Sequence, residues 1–154
     1  MAVYQVPREQ DKYHNLYDYC QSLDRAEYVG SLPQKELASA LNEANFLACP
    51  NTFPETSCIT VLEAMASSCL VVTSDLGALP ETTGGHGFLV SPGKKGIGHA
   101  RDYAQILAGV VQKYVQHPIA FRRHIQRQLE YIEKDYTWDK RAQEWEDWLI
   151  ISYA

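Results

Sequence analysis

The 154-residue chain lacks most of the marks of specialised protein classes. It has no Gly-x-Gly-x-x-Gly loop and no Walker motif, and Gly84, Gly85 and Gly87 are too loosely grouped to form either. No apolar run approaches the roughly 20 residues of a membrane helix, and no secretory leader is visible, so a cytoplasmic location is expected. The net charge of −5 argues against a general nucleic-acid binder, which carries a basic face. Cys20, Cys49, Cys58 and Cys69 include no close pair of the kind that holds a metal. His14, His99, His117 and His124 show no ligand spacing with nearby carboxylates or cysteines, so neither metal nor cofactor is expected. Repeats, low-complexity tracts and clean linkers are absent too. What remains is the composition of an ordinary soluble protein, long enough for one domain that buries about two thirds of its unfolded surface.

The most informative segment runs from Glu55 through Thr56, Ser57, Cys58, Ile59, Thr60, Val61 and Leu62 to Glu63, then into Ala64, Met65 and Ala66. Glu63 is embedded in an apolar run. A glutamate is seldom fully buried without a partner, so it either reaches solvent along a narrow polar stripe or meets a hydroxyl, a backbone donor or a ligand. The preceding run, Asn45 to Pro50, is short, apolar and closed by proline, as a buried strand is. Asn51 to Pro54 form a turn. The periodicity from Ile59 to Ala66 predicts a helix with Thr56 or Ser57 as its N-cap. Leu70 to Thr73 predicts a second buried strand, which completes a strand, loop, helix, strand unit of the parallel α/β kind.

In open parallel sheets, ligands bind beyond the carboxyl ends of the strands. The loop Asn51 to Ser57 lies at such an end. It leads into a helix N-terminus, where free N–H groups and the helix dipole favour an anion. A diphosphate can rest near Ser57 to Thr60. Glu63, expected about two turns beyond Glu55, can accept hydrogen bonds from a sugar diol.

Elsewhere, Ala2 to Val6 reads as a strand fragment, Glu9 to Leu23 as a helix, and Tyr28-Val29 as a short strand ending at Gly30. A helix from Pro33 to Glu43 buries Leu37 and Leu41, with Ala44 following on the same face. Pro80 to Thr83 is a helical turn and Phe88 to Val90 the last strand. Ser91 to Gly98 is a loop. Helices follow over Arg101 to Gln116, Phe121 to Glu133 and Trp138 to Ile151. Arg122, Arg123 and Arg127 could meet a membrane surface, but acidic residues follow at once and favour a solvated face. Trp138, Ala142, Trp145 and Leu149 share one side of the last helix, a stripe suited to another domain or protomer, including a homodimer. Cys49 and Cys69 read as small core residues, and Cys58 as packing rather than a reactive thiol. His86 reads as a turn residue rather than a sugar or phosphate ligand.

Together these residues carry a resemblance. Val29 to Pro33, Glu36-Leu37, Cys49-Pro50, Glu55 to Ala66, Val71 to Ser74, Gly77 to Glu81, Gly87 to Pro92 and Tyr136 to Trp138 resemble the C-terminal domain of GT-B-fold retaining glycosyltransferases. That large family includes mannosyltransferases and sucrose synthases, and the likeness spans most of the chain. The resemblance implies an α/β fold, a Rossmann-like parallel sheet over residues 2–92 with C-terminal helices over 99–152, forming one partial GT-B domain. It implies that Glu63 binds the ribose and that Glu55 faces the transferred sugar. Backbone amides around Ser57, Cys58, Ile59 and Thr60 would hold the diphosphate. The loop Gly30 to Pro33, with Leu32, would border the base, and Asp75 to Leu79, with Gly77, the sugar. The substrate would be a nucleotide diphosphate sugar, with no metal.

Thr56 and Cys58 fill places where many family members carry glycine, which narrows the room for backbone to approach phosphate. Ser67-Ser68 stands where the family often has Ala-Gly. The arginine and lysine that neutralise the diphosphate in the family precede the start of this chain. The chain is therefore expected to be N-terminally truncated, to bind nucleotide weakly and to transfer nothing alone, with the missing N-terminal GT-B domain as its partner. The resemblance leaves membrane association of a parent enzyme open. A non-catalytic GT-B-like scaffold is the alternative. A receiver-like domain fits less well, because Asp75 is the one obvious acid just after an apolar strand.

Overall fold

The computed structural model describes residues 11–93 and 97–153. The backbone divides into two compact units, Met1–Glu36 and Leu37–Ala154. In the first, α1 (His14–Gln21) has no buried residue. It is preceded by a turn in which Asp11 Oδ1 accepts from the Tyr13 amide at 2.8 Å, and Tyr17 stacks on Tyr28 with ring centres 4.6 Å apart. This helix is shorter than the expected Glu9 to Leu23. No strand forms at Tyr28-Val29, where both side chains are exposed. Two β-type residues gain little where no strand among the described residues pairs with them. The strand expected at Ala2 to Val6 lies outside the described residues.

Helix α2 (Gln34–Glu43) follows. The chain then alternates through β1 (Phe46–Cys49), α3 (Ile59–Ala66), β2 (Leu70–Ser74), α4 (Leu79–Thr83) and β3 (Phe88–Val90). It closes with α5 (Ile97–Gln116), α6 (Pro118–Asp135) and α7 (Trp138–Tyr153). The sheet has the order β1-β2-β3 and is parallel throughout, with Phe46 opposite Leu70 and Val72 opposite Phe88. The fold is α/β, a small Rossmann-like sheet flanked by helices, as half of a GT-B fold would be.

The central strand explains the core. All five residues of β2 are buried, as expected of a parallel strand covered on both faces. Alternation sends Leu70 and Val72 to one side, against Val90, Tyr103, Val110 and Phe121. Val71 points to the other, with Val61, Ala64, Met65, Leu79 and Ile132. Each fully buried aliphatic side chain contributes about 1.5–3 kcal/mol. Helix α6 serves both sides, with Phe121 in one cluster and Ile132 in the other. Between them Gln128 is fully buried, and its Nε2 donates to the carbonyls of Met65 (2.9 Å) and Cys69 (3.0 Å). Tyr103 donates to the Val72 carbonyl at 2.6 Å. Burial pushes its hydroxyl up to about 12, so it stays a donor.

Helix α5 ends at Gln116 as expected, and Pro118 opens α6 at its first turn, where a missing N–H is harmless. Both α5 and α6 start earlier than the sequence suggests. In α7 the tryptophans stand in solvent, Trp138 at 90 % and Trp145 at 63 % exposure.

Candidate functional site

The carboxyl ends of β1 and β2 are joined by side chains beyond the ladder. Thr73 Oγ1 donates to the Cys49 carbonyl at 2.9 Å, and Ser74 Oγ to the Asn51 carbonyl at 2.7 Å. The loops that follow touch through backbone. The Ala78 amide donates to the Glu55 carbonyl at 2.8 Å. Gly77 adopts φ +60°, and a Cβ there would lie 2.6 Å from both the nitrogen and the oxygen of Glu55. Two predicted site residues, Glu55 and Gly77, are thus brought together.

Glu55 is half-buried, and its Oε1 accepts from Asn51 Nδ2 at 3.0 Å. Cys49 Sγ donates to Asn51 Oδ1 at 3.2 Å. Under this loop His99 is buried at 5 % exposure, with Nε2 3.5 Å from Ser74 Oγ and Nδ1 without a partner. Asn51, Ser74 and His99 were not picked out as site residues. A polar residue directly after an apolar strand is a weak signal for Asn51. Nothing local marks the other two, whose roles come from distant contacts.

Helix α3 begins at Ile59. Its N-cap is Cys58, in extended geometry and without a side-chain cap bond. This corrects the expected Thr56 or Ser57 cap. Both those residues are exposed, while the Cys58 side chain packs in the core. The cysteine therefore does not fill the solvent side of the helix start. There Ile59 and Thr60 are exposed, and their amides precede the first intrahelical bonds. Their N–H groups can face an anion.

Glu63 is the fifth residue of α3, just past its first turn, because residues 55–58 are not helical. It is half-buried, and among the described residues no hydrogen bond or ion pair engages its carboxylate. Gly30 and Leu32 belong to the first unit. Gly30 is exposed with φ +68°, and Leu32 is half-buried. His86 is held structurally: its carbonyl accepts from His124 Nε2 at 2.7 Å, and its ring lies 5.3 Å from that of Tyr131. Burial pushes its pKa down, and the nearby charges of His124 and Arg127 add to this.

The stretch of sequence that carries both glutamates is one-sided in charge. From Glu36 to Gly93 the chain has no lysine or arginine, but it carries Glu36, Glu43, Glu55, Glu63, Asp75 and Glu81, a net charge of −6. Among the described residues no three His, Cys, Asp or Glu side chains cluster closely enough to hold a metal, and no helix is long and apolar enough to cross a membrane.

Comparison with known families agrees with this architecture. The family model described as "Glycosyl transferases group 1" matches residues 5–110, about two thirds of the chain, ending within α5. Neither the curated proteins nor the solved structures yield a match. With the family's core segment covering the parallel sheet and both glutamates, the chain belongs to the group 1 glycosyl transferases.

Proposed function

We propose that the chain is the donor-binding portion of a retaining glycosyltransferase that draws on a nucleotide diphosphate sugar. One observation carries the reading. Glu55 and Glu63 bracket a helix start with no side-chain cap, at the carboxyl edge of a parallel sheet. In this reading the amides of Cys58, Ile59 and Thr60, beside Ser57, receive the diphosphate. Glu63 accepts from the ribose diol. Glu55 and the Gly77 loop face the sugar.

Departure of a diphosphate spreads negative charge that positioned cations must stabilise. A single exposed helix terminus contributes about 0.3–1 kcal/mol, far short of a catalytic effect. The stretch from Glu36 to Gly93 supplies no cation, so in this reading the basic residues come from outside that stretch and the acceptor site from a second GT-B domain. The uncovered tryptophan face of α7 suits contact with such a domain or with a second copy. Exposed Thr56, at a family glycine position, favours a second reading as a non-catalytic scaffold.

The test is a calorimetric titration of the purified chain with UDP, GDP and ADP, with Glu63→Ala beside it. Binding of one nucleotide, weakened in the variant, is the expected result. Binding that ignores Glu63 would overturn its assignment to the ribose.

A further inference from the structure

The loop between β1 and α3 contains a hydrogen-bond chain in which each direction is set. An amide side chain can be turned end for end without changing shape, so its neighbours decide which end is oxygen. Here the neighbours are a thiol and a carboxylate. The thiol of Cys49 is a donor, because burial pushes its pKa up and Cys58 and Glu55 push it further. It takes Asn51 Oδ1 at 3.2 Å and so turns Nδ2 toward Glu55 Oε1, 3.0 Å away. The Asn51 backbone is anchored separately, by its amide on the Cys49 carbonyl at 3.0 Å and by Ser74 Oγ on its own carbonyl at 2.7 Å. Glu55 is anchored at its backbone by Ala78. Both ends of the Asn51–Glu55 bond are therefore fixed before any ligand arrives.

We infer that Asn51 is a positioning residue for Glu55: its amide, oriented by the Cys49 thiol, occupies Oε1 and leaves Oε2 to accept a hydroxyl of the transferred sugar. This rests on the proposed role of Glu55. An ionised carboxylate only accepts. With one oxygen committed to Asn51, the group becomes a one-sided acceptor at a set angle, so Asn51 governs how well the sugar adds to the affinity of the nucleotide. If Asn51 only closed the turn, its loss would lower stability and leave the sugar contribution alone.

The experiment compares calorimetric affinities for UDP and UDP-glucose, GDP and GDP-mannose, and ADP and ADP-glucose. It uses the whole chain as wild type, Asn51→Ala, Asn51→Asp, Glu55→Gln and the Asn51→Ala/Glu55→Gln double variant. The readout is the gain from nucleoside diphosphate to nucleotide sugar, with melting curves as a check on folding. Loss of a hydrogen bond to a charged group predicts that the gain falls about tenfold in Glu55→Gln, and in Asn51→Ala as well. The double variant falls no further than Glu55→Gln, since Asn51 acts through Glu55. The isosteric Asn51→Asp removes the donor but keeps the volume, and falls at least as far as Asn51→Ala. A wild-type gain retained in Asn51→Ala, or losses that simply add, overturns the inference alone. If the wild type binds none of the six compounds, or shows no gain from the sugar, the role of Glu55 falls and the inference falls with it.

Discussion

Replacing Gly77 with alanine tests how closely the two strand-end loops approach. The glycine has φ +60°, and a Cβ would lie 2.6 Å from Glu55 N, 2.6 Å from Glu55 O and 2.9 Å from the Pro54 carbonyl carbon. These are backbone atoms, which cannot swing aside as a side chain does. The left-handed conformation costs an alanine about 1–2 kcal/mol. Forcing the loops apart adds about 1–3 kcal/mol, as overpacking does. A stiffer unfolded chain returns about 0.4–1 kcal/mol. The net loss is about 1–4.6 kcal/mol, or roughly 2–18 °C in Tm for a domain of this size. Gly85 is the internal standard: its φ is +81° and nothing lies within 4 Å of its Cβ position, so Gly85→Ala carries the backbone term alone, about 1 kcal/mol. Urea unfolding followed by far-UV circular dichroism suits the comparison. The exposed tryptophans of α7 would report poorly on the core. If Gly77→Ala is no less stable than Gly85→Ala, the close approach of the two loops is refuted.

Ser68, just past the C-cap of α3, has φ +67°, so Ser68→Gly should stabilise the fold by about 0.5–1 kcal/mol, read as a higher urea midpoint. Gln128→Met should lose about 2–3 kcal/mol by the same measurement, because two donations to backbone carbonyls disappear from a fully buried site. His86 has its pKa lowered in the folded state, so its protonation favours unfolding. Its contribution is intact above the ordinary histidine value of about 6.5 and is lost as pH falls below it. His86→Asn should flatten the fall in stability just below pH 6.5.

The alternation from β1 to β3 was legible because each element carries its own signal. The helix Ile59–Ala66 and the strand Phe88–Val90 fall where their apolar patterns end. The misreadings share a cause, which is tertiary contact overriding local preference. Thr56 and Ser57 have the hydroxyls of good caps, yet the N-cap is Cys58, whose side chain is buried in the core. Tyr28-Val29 has β propensity but pairs with no strand among the described residues. At the site, the two glutamates stood out by composition and spacing. The grip on Glu55 did not, because it depends on Asn51 folding back across a turn and on Gly77 arriving from the next loop.

The missing cations between Glu36 and Gly93 give ionic strength an unusual diagnostic role. A diphosphate approaching Glu55 and Glu63 is repelled, and salt at about 0.15 M screens such repulsion beyond roughly 8 Å. Added salt should therefore tighten diphosphate binding to this chain, the reverse of the usual anion site. Once a partner surface brings lysine or arginine to the diphosphate, the slope should change sign. The slope of affinity against ionic strength then reports whether cations face the diphosphate, with no turnover assay required.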